Sequence, residues 1–527
     1  MKKTLSLFVA LLLLLSSFAA LAEGDTSKDT WLCDEKTTLT VLTYDAASNT
    51  MPAPSNDLPF WAWLEDYTNV HIEWEVIPQA SYNEVLSARL SAGEGLADIV
   101  NGLSSNMMVN AGNSGTFVDL AAYWDEYCPN LQAYFDGADL PYKDLITTPE
   151  GNIYGLFGTI NETNNRITAL YNTAWLEKLG LSVPTTLEEF DALLVAISEA
   201  GDLNGNGLDD EIPLTSADFG NSLLCWMGLA FGMHMYEGGN SMQLDADGKI
   251  YDERVEECMK NTLTYLNDLY ARGLLDPEIC NMNYELMSQK NAADRVGVMI
   301  MYSSFAPAYG AMCPAGEADP LGEHLTVGTS LKSEYNGNEI RMYRNENLGG
   351  AAAITATSEN VELAIRWLDT LIASEAALTT RCWGFEGEDF EYDANGEKVL
   401  IQPADGSKWN INPKGCGQIA LPHLQTDEQL DNPDSNLPWY VEQCHALNDA
   451  SVWFGPAVPN VMRTAYELET ESFYNTDVST YYTEIRDKFV KGEASIEAEW
   501  DSYVSTMNSL GLSELIEVYQ SIYDRTR

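Results

Sequence analysis

The sequence predicts an α/β protein of more than one globular unit with a helix-rich C-terminal part. Three observations predict it. The 527 residues exceed the roughly 100–200 of a single domain. The first hundred residues alternate strand and helix patterns, and the stretch from residue 465 onward repeats apolar positions at helical spacing.

Residues 1–22 (MKKTLSLFVALLLLLSSFAALA) carry two lysines, an apolar run and small residues ending Ala20-Leu21-Ala22, the pattern of a secretory signal peptide cleaved after Ala22. The apolar run is short for a membrane span of ~20 residues. Residues 23–36 form a polar leader. The first cysteine, Cys33, lies well past the apolar run, so no lipid-anchor cysteine is expected at the cleavage point. Residues 37–45 (TTLTVLTYD) read as a strand, 60–68 as a helix, and 71–78, with Ile72, Trp74 and Val76 at period two, as a second strand. Helical spacing returns over 82–92, and 97–102 is a short apolar run ending in Gly. Ligands of such sheets gather at the carboxyl ends of strands, here near Tyr44-Asp45 and 101–106. Thr186 and Glu189 form a capping-box pattern ahead of the apolar stripe Leu187, Phe190, Leu194, Ile197. A second stripe (Val361, Ala364, Ile365, Leu368, Leu371, Ile372) follows Thr357-Ser358.

Charge excludes whole classes of function. With 28 Lys+Arg against 80 Asp+Glu the net charge is −52, which argues against nucleic acid and against anionic membrane surfaces. Removing the signal takes away Lys2 and Lys3 and no acid, leaving 26 against 80, or −54. A content of 45% hydrophobic and 10% aromatic residues supplies a core and excludes disorder. The nine cysteines are scattered without a C-x-x-C pair, so buried, inert thiols are expected.

One motif has chemistry at its spacing. Asp202, Asn204 and Asn206 stand at positions one, three and five of a loop, Gly207 turns it, Leu208 offers a backbone carbonyl, and Asp210 and Glu211 follow. Hard Ca²⁺ takes six to eight such oxygens, although Pro213 stands where an EF-hand closes with Glu. The competing reading is a Gly/Asn/Asp-rich surface turn. No G-x-S-x-G, H-E-x-x-H or phosphate-loop motif occurs, and the five histidines are isolated, so no catalytic residue is assigned. A pair of glycosidase carboxylates is neither identified nor excluded by sequence. Among the 13 tryptophans, Trp226, Trp383, Trp409 and Trp439 lie beside irregular-backbone residues, where an indole face suits the apolar C–H face of a sugar.

Further stretches form an ordered series: GNIYGL at 151–156, LYNTAWLEKLGLSVPTTLEEF at 170–190, the 202–211 loop, RVGVMIMY at 295–302, 353–371, and the tail from Tyr481. In that order they resemble the family 1 extracellular solute-binding proteins, receptors of ABC importers, and especially their larger oligosaccharide-type members with a calcium loop. The resemblance implies a two-lobe, periplasmic-binding-protein-like fold (type II) with a hinge of crossing strands. Lobe 1 would be 37–165 and 302–352; lobe 2 would be 166–301 and 353–527. An interlobe cleft would draw on Tyr44, Ser104, Trp226, Tyr302, Trp383, Trp409 and Trp439. The expected function is a non-enzymatic, exported, monomeric receptor that passes an oligosaccharide to a membrane permease. A secreted glycan-degrading enzyme, a receptor for peptides or other solutes and a surface adhesin are the alternatives. The acidic coat favours a neutral sugar over a uronate-rich one.

Overall fold

The computed structural model describes residues 28–45, 52–136, 141–161, 166–235, 241–319, 322–343, 346–401, 404, 414–415, 421–425, 437–455, 458 and 461–526. The signal peptide, the start of the leader, Trp409 and Cys416 lie outside them.

β1 (Thr37–Asp45) pairs in parallel with β2 (Val70–Pro78) from Thr37↔Val70 to Asp45↔Pro78, and on its other side with β3 (Ile99–Leu103). Flanked by two strands, β1 buries Val41, Leu42 and Thr43 in succession, as a strand covered on both faces must. The connecting helix α1 (Pro59–Thr68) begins on proline, whose missing N–H costs nothing there, and ends at Asn69 with φ 59°. Helix α2 (Gln79–Ala92) leads to β3, and α3 (Ser105–Asn113) starts directly after it. The sheet is completed by β4 (Leu156–Asn161) and by β9 (Glu346–Ile354), which runs antiparallel between β3 and β4. Its order is β2-β1-β3-β9-β4.

The second sheet contains β5 (Ile167–Asn172), β6 (Ile212–Ser216), β7 (Val296–Tyr302) and β8 (Leu325–Val327), in the order β8-β5-β7-β6. β6 and β7 are parallel, and β5 is antiparallel to β7 with Ile167 opposite Tyr302. Helix α4 (Leu187–Glu199) begins with the expected capping box: Thr186 accepts from the Glu189 N–H and the Glu189 carboxylate accepts from the Thr186 N–H.

Each sheet has its own core, so the molecule has two lobes, as the resemblance implied. The boundaries differ from those expected. Strand β8 and the residues before it belong to the second sheet, because Leu325–Val327 pairs with β5, so 302–343 is not part of lobe 1. β9 runs through the expected cut at 352/353 and stays in the first sheet, and α6 (Val361–Ala373) buries Ile365, Trp367, Leu368 and Ile372 in the first core. The 353–373 stretch is therefore lobe 1. Helix α7 (Ala465–Lys491) belongs to both: Leu468 lies in the first core, Val478 and Phe489 in the second. Helices Ile496–Ser509 and Leu512–Arg525 complete the second lobe. Among the described residues no helix is long and apolar enough to cross a membrane.

Candidate ligand cleft and cation loop

The orientation of the strands locates the cleft. β5 receives the chain from the first lobe, and its first residue lies beside the end of β7. The carboxyl ends of β7 and its parallel neighbour β6 therefore face the first lobe. On that side, just past β6, lies a cavity of about 480 Å³ lined by Ala217, Asp218, Phe219, Gly220, Asn221, Arg254, Ile279, Cys280, Met282 and one face of α7 with Asn475, Ser479, Tyr482 and Arg486. The same helix packs against α3, which leaves the carboxyl end of β3 in the first lobe.

Local sequence explains the cavity wall. The apolar strand β6 gives way to Ala-Asp-Phe-Gly-Asn, and Asp218 caps a single π-helical turn, Phe219–Leu223, accepting from the N–H and the side-chain amide of Asn221. Such turns recur at functional sites. The Arg486 guanidinium lies 4.7 Å from the Phe219 ring and 5.7 Å from that of Tyr482, and the Arg254 guanidinium is 5.6 Å from Tyr482. Burial opposes the Arg254 charge, but the Asp252 carboxylate, 2.7 Å away, more than offsets it and raises the pKa. Burial also pushes the Cys280 thiol up to about 11. Rings with amides, hydroxyls and guanidinium groups around one concavity suit a ligand with apolar faces and polar edges.

The expected site residues fall into three groups. Tyr44 and Ser104 occupy the carboxyl ends of β1 and β3. The Tyr44 ring lies 5.4 Å from Tyr82 and crosses Gly102, where a Cβ would come within 2.9 Å of it, and burial raises its pKa. Ser104 is exposed, and its hydroxyl caps α3 by accepting from the Met107 N–H. Tyr302 and Trp439 are half-buried at the end of β7, where their neighbours Ser303 and Tyr440 touch, hydroxyl to hydroxyl, at 3.2 Å. Trp226 and Trp383 do not present free ring faces. Trp226 is 2% exposed in helix Leu224–Ala230, packed on Phe190 beneath the cavity wall, and Trp383 lies in a small core with Phe390. Every residue of that helix is buried, so Trp226 lies inside whatever the helix register.

The 202–211 loop is held by its own oxygens. Asp202 accepts from the Gly205 and Gly207 N–H groups, Asn204 from Asn206, and Asn206 from Leu208. Glu211 accepts from Leu203 at 2.6 Å, and Asp210 pairs with Arg295 at 2.8 Å. Among the described residues no three His, Cys, Asp or Glu side chains converge as a metal group, so any cation here would also use the two carboxamides and the Leu208 carbonyl. Amide N–H groups take one lone pair of the Asn204 and Asn206 oxygens and of each Asp202 oxygen and leave the second, whereas Glu211 Oε1 accepts from both Leu203 and Asn204. The donor set, oxygen throughout, fits a hard cation.

The sequence pattern of the bacterial extracellular solute-binding proteins matches residues 52–378. The chain belongs to that family. This solute-binding protein is 25% identical over 526 residues to the fructooligosaccharide ABC transporter substrate-binding protein FusA of Streptococcus pneumoniae, over 94% of this chain and 92% of that one. FusA in complex with kestose is similar in structure, with a TM-score of 0.73 at 23% identity over 93% of this chain and 99% of that chain. An EF-hand mutant of FusA bound to fructo-nystose gives 0.73 at 24% identity over the same shares. The alginate-binding protein AlgQ2, solved without calcium ion, gives 0.72 at 20% identity over 94% and 99%.

Sequence reasoning missed the second-lobe groups of this solute-binding protein: Asp218, Phe219, Asn221, Arg254, Tyr482 and Arg486. A signal existed for the first three. Polar and aromatic residues following an apolar strand are the same cue that pointed to Tyr44 and Ser104. Arg486 carried none, because in YYTEIRDKFV it is one polar position of an amphipathic helix.

Proposed function

We propose that the protein is the receptor of an ABC importer and holds an oligosaccharide between its lobes for delivery to a membrane permease, without chemical turnover. The observation that carries this reading is the cavity at the carboxyl end of β6, where the rings of Phe219 and Tyr482 stand among Asn221, Asn475 and Ser479. Sugar rings stack by their C–H faces on aromatic rings and exchange hydroxyl hydrogen bonds with amides and hydroxyls. Tyr44, Ser104, Tyr302 and Trp439 would serve the rest of the cleft, and Trp409 is retained as a candidate from sequence. The protein would act as a monomer, exported through the 1–22 signal. A Ca²⁺ ion would be held by Asp202, Asn204, Asn206, the Leu208 carbonyl, Asp210 and Glu211, and would stiffen the loop that precedes β6. Calorimetric titration against a panel of oligosaccharides and peptides tests the assignment: micromolar binding of at least one glycan is expected, and a response to peptides alone would overturn it. Release of reducing ends on incubation with polysaccharides would instead favour an enzyme.

A further inference from the structure

The cavity is lined by two cations, each held from one side by its own aspartate. In a chain with 28 basic and 80 acidic side chains, two guanidinium groups line this one cavity and share a single ring, Tyr482. Each uses one side only. Arg486 gives Nε and Nη2 to Asp487 Oδ1, at 2.9 and 2.7 Å, and Arg254 gives Nε and Nη2 to Asp252. Among the described residues neither Nη1 has a hydrogen-bond partner, so each guanidinium keeps its Nη1/Nη2 end free. Gly220 makes the room, since a Cβ there would stand 2.5 Å from Arg486 Nη1. The carboxylate of Asp218, also at the cavity, is engaged by Asn221. A third guanidinium lies at the same end of the sheet. Arg166, 2% exposed, is bonded to the Ser303 N–H through its carbonyl beside the end of β7, about two strand spacings or ~10 Å from β6. Its Nη1 donates to Asn448 Oδ1 and the guanidinium lies 5.7 Å from the Trp453 ring, but it has no carboxylate partner among the described residues, and its Nε and Nη2 are buried without a hydrogen bond. A buried, unpaired cation is costly, and the cost falls when an anion arrives nearby.

Resting on the receptor reading above, we propose that the ligand is an acidic oligosaccharide. A sugar carboxylate is taken by the free guanidinium end of Arg486 in bidentate geometry, with Arg254 beside it, and the sugar hydroxyls meet Asn221, Asn475 and Ser479. Planar, two-pronged recognition of a carboxylate is what a free guanidinium end provides. The acidic coat does not prevent it, because at physiological ionic strength fields from exposed charges fade over about 8 Å.

The test uses the whole mature protein and a panel of uronate oligosaccharides, each paired with its carboxyl-reduced twin, which has the same linkages and no charge. At least one uronate is expected to bind tenfold or more tightly than its twin, with an affinity that falls as NaCl rises. Arg486→Gln should erase that tenfold preference, whatever it does to the twin's own affinity, while Arg486→Lys should keep part of it. Melting curves report whether each variant is folded, and the wild-type comparison of twins stands without them. Equal or better binding of the neutral twins, or binding of neutral oligosaccharides only, overturns the proposal and leaves the receptor reading intact. Failure of every glycan, charged or neutral, overturns both.

Discussion

If the 202–211 loop holds Ca²⁺ as proposed, removing the ion is expected to destabilise the second lobe by an amount that separates from the loop's own hydrogen bonds. Asp202 holds two backbone N–H groups, Gly205 at 2.7 Å and Gly207 at 2.9 Å. Replacing it with alanine costs about 1 kcal/mol for each bond whether or not an ion is bound. The ion adds a second term. For a dissociation constant about a hundredfold below the free calcium concentration, linkage contributes about 2.7 kcal/mol. At about 2–4 °C per kcal/mol for a unit of about 150–250 residues, calcium should raise the wild-type melting temperature by about 5–10 °C over EDTA. Asp202→Ala should lie a few degrees below wild type in EDTA and much further below it in calcium. The assay is a thermal melt of both proteins in both buffers. A gap between the proteins that is the same with calcium as with chelator would refute the argument, because Asp202 would then be only a turn residue.

Three other outcomes are expected. Trp226→Ala should cost about 3–5 kcal/mol in urea unfolding, because the indole is buried on Phe190, and the folded fraction should bind glycan with unchanged affinity; lost binding at unchanged stability would return Trp226 to the cleft. Thr186→Ala should lower stability by about 1 kcal/mol by removing the capping-box acceptor of α4, measurable by the same titration. Desolvation, with repulsion from the Arg381 guanidinium, lowers the His423 pKa from 6.5 to about 4. Between those values the unfolded chain holds the proton and the folded one does not, so stability should fall as pH drops from about 6.5 to about 4 and this contribution should level off below. His423→Gln should flatten that part of a pH-stability profile.

Local features of the fold were legible in the sequence because local forces decide them. The strand expected over 37–45 is β1 without a shift, since β-branched and apolar residues there alternate with little competition. The capping box at Thr186 and Glu189 formed as written, because three-residue spacing alone sets its geometry. Lobe membership was not legible. Whether the 346–354 strand joins the first or second sheet depends on partners some 190–250 residues earlier, and its Gly-Gly-Ala-Ala-Ala run fits either as a central strand. The cleft was half legible for the same reason. Residues that follow an apolar strand announce themselves, as at Tyr44 and Ser104, whereas Arg486 reaches the cavity only because a helix from the far end of the chain is laid across it. Tryptophans beside irregular residues were a poor guide, since tertiary packing buries the whole helix at 224–230, Trp226 included.

Helix α7 also bears on how a bound sugar would be felt by the rest of the molecule. Its Leu468 packs in the first-lobe core, and its Tyr482 and Arg486 line the second-lobe cavity. Fourteen residues of α-helix separate Leu468 from Tyr482, about 21 Å of rigid rod. Its N-terminus is tied down further: Thr464 caps it, Arg525 from the last helix bonds to Glu467 at 3.1 Å, and the Met462 N–H donates to the Leu145 carbonyl of the first lobe at 3.1 Å. A lobe rotation that left α7 straight would have to lift Leu468 from its core or turn the whole rod with the first lobe. If the rod turns with the first lobe, the wall that carries Tyr482 and Arg486 moves relative to the one that carries Phe219. Ligand contacts on both walls are therefore worth more in one lobe arrangement than in the other, which is the differential affinity a receptor needs if binding is to change its shape.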